Sequence, residues 1–182
     1  TVYIATDGNG VHFLSHKDRK VVRRFFHDVN DKEGIHSNSI YSLLVDDRGA
    51  VWVGHFQAGL DYSLYQNGLF RTYAYPPQFN STNLSIRSFV NRGKEKVIGS
   101  RDGLFYINES IGVVKSFVKP VLTSDLILTT CFYQGEYYIG TYGGGMMVLN
   151  PETLSLNYFA QGDTELFQRG HVFCVKPDTK GN

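Results

Sequence analysis

The sequence predicts an all-β fold, a β-propeller of about four blades with four antiparallel strands in each. Three observations predict it. First, one short phrase recurs. It reads Val51-Trp52-Val53-Gly54 then Gly59-Leu60-Asp61-Tyr62, Lys96-Val97-Ile98-Gly99 then Gly103-Leu104-Phe105-Tyr106, and Tyr137-Tyr138-Ile139-Gly140 then Gly145-Met146-Met147-Val148. The chain opens on a fourth copy, Val2-Tyr3-Ile4-Ala5 then Gly10-Val11-His12-Phe13, so the small-residue position falls at 5, 54, 99 and 140. A repeat of roughly 40–50 residues marks a propeller or solenoid, because one such unit cannot bury its own apolar faces. Second, the apolar runs are short and bounded by turn residues, and none has helical periodicity. Third, the 182 residues are 42% hydrophobic and 14% aromatic, enough for one packed domain.

The second repeat sets the template. Ile40 to Val45 is β-branched and aliphatic, Asp46-Asp47-Arg48-Gly49 is a turn, and Ala50 to Gly54 is a second strand. His55 to Gly59 leads to a third strand from Leu60 to Gln66, and Asn67-Gly68 is a strong hairpin signal before a fourth from Leu69 to Tyr75. A polar loop with Pro76-Pro77 follows. The next set is 86–91, 95–100, 103–108 and 113–118, and the next 126–133, 136–142, 146–150 and 155–160. The chain begins on strand two of a blade (2–6, 11–15, 20–27) and ends on strand one, Val172 to Val175, before the turn Asp178-Thr179-Lys180-Gly181. The blade pieces are therefore about 1–38, 39–85, 86–125, 126–170 and 171–182. The two ends either pair and close a small ring or belong to a larger one, and the expectation is part of a larger ring.

Charge narrows the partners. With 18 Lys and Arg against 17 Asp and Glu, nothing suggests a nucleic-acid groove or affinity for an anionic membrane. No apolar run is long enough for a membrane helix, so contact with a membrane is expected only through a parent protein. The chain lacks an initiator Met and starts inside a strand-like run, and is read as a piece of something longer. Cys131 and Cys174 are 43 residues apart with no CxxC, so they are expected to be buried free thiols rather than a disulfide framework.

The second repeat, Asn38-Ser39-Ile40 through Asp46-Asp47-Arg48-Gly49-Ala50-Val51-Trp52-Val53-Gly54, resembles the two-component regulator propeller repeat, which usually reads N-x-I-x-x-I-x-x-D-x-x-G-x-x-W-I-G-T and then G-G-L. Gly140-Thr141-Tyr142-Gly143-Gly144-Gly145-Met146 matches its second half. The other copies match more loosely, with Val97 and Tyr138 where Trp would stand. The resemblance implies the extracytoplasmic, periplasmic sensor region of hybrid two-component histidine kinases of Bacteroides-like bacteria, some of which respond to oligosaccharides. It implies no catalysis in this chain, with the kinase elsewhere. It also implies seven blades, more than 182 residues can hold.

In propellers the loops joining strands two and three gather at one end of the ring with the connections between blades. Here they are Thr6-Asp7-Gly8-Asn9, His55-Phe56-Gln57, Ser100-Arg101-Asp102 and Thr141-Tyr142-Gly143. Rings that stack, beside planar amide, guanidinium and carboxylate groups, are what a sugar site needs. The candidate ligand contacts are Asp7, His55, Gln57, Arg101, Asp102 and Tyr142. The plainer reading makes them ordinary polar loop residues. Trp52, the sole tryptophan, reads as packing between blades. The glycine runs precede no helix and no Gly-Lys-Ser/Thr, the six His are scattered, and Asp46-Asp47 reads as a turn former, so no metal, cofactor or catalytic residue is assigned. Two alternatives stand beside ligand sensing. One is an interaction or homodimerisation scaffold working through exposed blade edges. The other, a propeller lyase or glycosidase, needs clustered His, Arg and carboxylates, which these loops do not supply.

Overall fold

The structure is a computed structural model that describes residues 1–63, 69–73, 84–159 and 169–178. Among these, fifteen strands form four antiparallel sheets in simple up-and-down order. The first holds β1 (Val2–Ala5), β2 (Val11–Leu14) and β3 (Val21–Phe25). The second holds β4 (Ile40–Val45), β5 (Val51–His55), β6 (Leu60–Ser63) and β7 (Phe70–Thr72). The third holds β8 (Ile86–Arg92), β9 (Glu95–Ser100), β10 (Gly103–Asn108) and β11 (Val113–Phe117). The fourth holds β12 (Ile127–Tyr133), β13 (Glu136–Thr141), β14 (Met146–Leu149) and β15 (Leu156–Tyr158). The Asn67-Gly68 hairpin turn, the ends of the third and fourth strands around it, the Pro76-Pro77 loop and the final turn Thr179-Lys180-Gly181 lie outside the described residues.

The chain divides into two compact units, Thr1–Ile86 and Arg87–Asn182. In the first, Val11, Phe13 and Phe25 of the opening sheet form one core with Ile35, Ile40, Val51, Val53 and Phe70. Phe25 meets Phe13 and Phe70 edge to face, each at 4.8 Å between ring centroids, the favoured geometry for aromatic pairs. In the second, Val97, Leu104, Tyr106 and Phe117 pack with Ile127, Tyr137, Ile139, Met147 and Leu149. The middle strands are buried on both faces, which explains why their apolar runs are continuous rather than alternating. A polar clasp closes the far end of the second core. The Arg92 guanidinium donates to Glu95 Oε2 at 2.8 Å and lies 3.6 Å from the Phe132 ring centroid, while the Tyr106 hydroxyl donates to Glu95 Oε1 at 2.5 Å.

The long motif of the second repeat has a local cause. The Asp46 carboxylate accepts the backbone N–H of Arg48 (3.0 Å) and Ala50 (2.9 Å), and Oδ2 accepts Trp52 Nε1–H (3.1 Å). Gly49 between them takes φ 79°, which favours glycine. Trp52 is buried and stacks on Tyr62, its cross-strand partner, at 5.1 Å and 23°. Burial pushes the Asp46 carboxyl up, but the Trp52 and backbone hydrogen bonds outweigh it, so its pKa lies below the ordinary 3.8.

The small-residue position of the repeat is a contact with the following strand. A Cβ on Gly54 would stand 2.1 Å from Ser42 Oγ and 3.0 Å from Ile86 Cγ2, one on Gly99 would stand 2.6 Å from Ile127 Cγ2, and one on Gly140 would stand 2.7 Å from Val172 Cγ1. Two backbone hydrogen bonds recur at the same junction. Gly10 N–H donates to Asn38 O (2.9 Å) while Ile40 N–H donates to Thr6 O (3.0 Å), and Gly145 N–H donates to Gly170 O (3.0 Å) while Val172 N–H donates to Thr141 O (3.0 Å). Gly59 N–H donates to Leu84 O in the same way, at 3.1 Å.

Two expectations need correction. Residues 172–175 form no strand, because no strand of the described residues pairs with them; they are instead pinned to the fourth sheet through those two bonds. The thiols are free but not buried. Cys131 is half-buried on β12, and Cys174 is exposed on that unpaired segment.

We expect Gly54→Ala to destabilise the protein by about 1–3 kcal/mol in a denaturant titration, although alanine normally improves a strand, because the added methyl overpacks a filled junction. Asp46→Ala is expected to cost about 1–3 kcal/mol in the same experiment, through the buried N–H groups it strands.

Candidate functional site

The connection from β3 to β4 is built from its own side chains. Ile35 anchors it in the core, His27 Nδ1 lies 2.9 Å from Ile35 O, and Asn38 Oδ1 accepts the His27 N–H at 2.8 Å. Phe70 N–H on β7 donates to Glu33 O at 2.6 Å, tying the connection to the outermost strand of the second sheet. These bonds place His36 over the start of β6.

At that point three ionisable side chains converge. Asp61 is fully buried, and its Oδ2 accepts His36 N–H at 2.8 Å and lies 2.9 Å from His55 Nε2. Its Oδ1 is 2.9 Å from His36 Nδ1. The carboxylate accepts only, so these contacts place protons on His36 Nδ1 and His55 Nε2. His55 Nδ1 is enclosed and has no hydrogen-bond partner among the described residues. Burial by itself raises the Asp61 carboxyl. The hydrogen bonds from His55 and the His36 N–H, and the two imidazoles beside it, hold it below the ordinary 3.8.

Thr72 gives this group the outline of a hydroxyl–imidazole–carboxylate relay, but the geometry does not make one. Its Oγ1 is 3.1 Å from both ring nitrogens of His36, so it lies on the lone-pair axis of neither. A base that takes a hydroxyl proton needs that alignment. The arrangement does something else. It joins the connection before β4, the end of β5 and the start of β6 through one carboxylate, and His36 carries the contact on to Thr72 at the end of β7.

The six residues picked from the sequence have different fates. Asp7 is exposed and forms an isolated bridge with Ser39. Gln57 is exposed at φ 55°, and its N–H donates to Ser85 Oγ at 3.3 Å. Arg101 and Asp102 are exposed side by side, with Asp102 N–H donating to Ser100 Oγ at 3.0 Å. Tyr142 is exposed and stacks on His171, with centroids 3.9 Å apart and 22° between planes. His55 is the correction. It is fully buried and committed to Asp61, so it braces the blade and is closed to a ligand. Within either unit, no hydrogen bond, ion pair or ring contact joins one of the six to another.

Sequence reasoning missed Asp61, His36, His171 and Phe173. Asp61 did carry a signal: where the other copies of the phrase have His12, Phe105 and Met147, the second has a carboxylate inside an apolar strand. A buried carboxylate needs donors, and the nearby histidines supply them. A second regularity emerges two residues past the small-residue position. There the copies present Asp7, Phe56, Arg101 and Tyr142, four different chemistries on one scaffold position.

Comparison with known proteins follows the same lines. Residues 34–57 match the family model described as two component regulator propeller, the stretch that also carries the resemblance read from the sequence. The extracellular domain of a protein described as a hybrid two component system from B. thetaiotaomicron superposes with a TM-score of 0.80 at 17% identity, covering 98% of this chain and 23% of that one. A second such extracellular domain from B. thetaiotaomicron superposes with a TM-score of 0.73 at 21% identity, over 96% of this chain and 23% of that one. The Cps50 (Swd1) β-propeller domain of Myceliophteria thermophila gives 0.64 at 12% identity, over 97% of this chain and 55% of that one. The chain spans 23% of the length of each of the two bacterial structures. No curated protein matches it. At these identities the likeness establishes the β-propeller fold.

Asp61→Ala is expected to cost about 1–3 kcal/mol of stability, since it strands the buried His55 Nε2–H. The pH dependence has a definite sign. The Asp61 carboxyl lies lower in the folded than in the unfolded chain, so its contribution is complete above pH 3.8 and is lost as pH falls through the folded value. Acid unfolding followed by circular dichroism should therefore start at higher pH in Asp61→Ala than in the wild type.

Proposed function

We propose that this chain is part of the extracytoplasmic sensor region of a two-component signalling receptor. It binds an oligosaccharide at the end of the blades where the two-to-three loops lie, and relays to a histidine kinase outside the chain. The observation that carries the reading is the contrast between scaffold and loop. The junction residues repeat from blade to blade, while the position beside them varies through Asp7, Phe56, Arg101 and Tyr142. A fold that holds its frame constant and changes one loop position per blade is suited to recognition. The family match at residues 34–57 and the likeness to bacterial extracellular domains support the signalling context. Catalysis has no place in this reading, since in the most organised ionisable group, around Asp61, the Thr72 hydroxyl is misaligned for proton transfer to His36.

Isothermal titration against a library of neutral and acidic oligosaccharides tests it. Saturable binding of at least one glycan, with a Kd of about 1 μM to 1 mM, is the expected result. A folded protein that binds none contradicts it.

One observation favours a second reading, an interaction scaffold. On and beside the opening sheet Val2, Ile4, Val22 and Phe26 are exposed. Sedimentation velocity separates the two: a concentration-dependent dimer supports the scaffold, and a strict monomer at about 100 μM removes it.

A further inference from the structure

The second unit carries an aromatic cluster that its own fold leaves uncovered. Tyr142, His171 and Phe173 form one group, with His171 stacked on Tyr142 at 3.9 Å and in edge contact with Phe173 at 6.4 Å. Tyr142 is 48% exposed and Phe173 is 69% exposed. Large rings gathered in the open mark a binding surface more often than isolated exposed residues do.

The cluster is held rather than loose. Tyr142 N–H donates to Leu126 O at 2.9 Å. Val172, between His171 and Phe173, donates its N–H to Thr141 O at 3.0 Å and seats its side chain against Gly140. Gly145 N–H holds Gly170 O on the other side, at 3.0 Å. Rings fixed before binding lose little freedom on binding. Beside them Gly143 is exposed at φ 79°, and a Cβ there would meet nothing within 4 Å except the His171 ring. Open backbone therefore lies next to the stack, with peptide groups that can bond hydroxyls.

We propose that Tyr142, His171 and Phe173 form a stacking subsite for the flat C–H face of a neutral pyranose, with the Gly143 peptide beside its hydroxyl edge. This rests on the sensor reading above and names one of its subsites. The shared chemistry is a flat apolar ring face, which an aromatic compound could also offer.

The test is titration of the protein with neutral oligosaccharides of two to six pyranose units, with indole as the aromatic probe. Tyr142→Ala, Tyr142→Phe and His171→Ala are compared with the wild type, all checked for folding by circular dichroism. The expected result is a saccharide whose Kd rises at least about tenfold in Tyr142→Ala and His171→Ala but stays within about threefold in Tyr142→Phe, since phenylalanine keeps the ring face. A saccharide that binds all four proteins equally overturns the subsite and leaves the sensor reading intact. No saccharide bound by the folded wild type overturns both. Indole binding that depends on Tyr142, with no saccharide bound, overturns the pyranose assignment.

Discussion

The structure depends on one close approach. At each of Gly54, Gly99 and Gly140 the following segment comes so near that a single added carbon would collide with an Ile or Val side chain. A small residue, Ala5 in the first copy and glycine in the others, lets the two backbones approach there. Once they do, the paired bonds at Gly10 and Ile40, and again at Gly145 and Val172, hold the next segment of chain against the sheet before it. The loop-end residues inherit their positions from that junction. Tyr142 and Phe56 are two residues from it, and Phe173 and Tyr41 are next to the residue it pins.

The second layer of organisation is polar and differs between the two units. In the first, Asp46 organises a turn and its tryptophan, and Asp61 ties three segments together. In the second, Glu95 gathers Arg92 and Tyr106 at the far end of the core. Each is a carboxylate surrounded by donors, the arrangement that makes a buried charge tolerable. All three sit beside the repeated apolar frame. They specify details of their own blade without altering the plan.

The plan was legible because it is written in short-range patterns. Ile40–Val45, Glu95–Ser100 and Gly103–Asn108 have the bounds that their sequence suggests, since turn residues close each one on both sides. The third strand of the second repeat carried a warning in Asp61, but the residues that answer it are 25 positions earlier at His36 and six earlier at His55, and no local pattern joins them. His55 looked available for a ligand because it ends a strand beside a loop; only the folded chain shows that Asp61 encloses it. Strand character at 172–175 failed for a related reason. The sequence has the right residues, but a strand is a relation between two segments, and no strand of the described residues pairs with it. Tyr142 was visible as a loop aromatic, whereas its stack with His171 arises from the junction 29 residues later and could not be read locally.

Native-state hydrogen exchange at the amides of Ile40 and Val172 tests the junction most directly. If the paired backbone bonds fix each blade on the next, both amides exchange among the slowest in their own unit, at rates set by cooperative opening rather than by local fraying. Exchange at either amide as fast as in an unstructured peptide, with β9 and β13 still protected, would contradict that role.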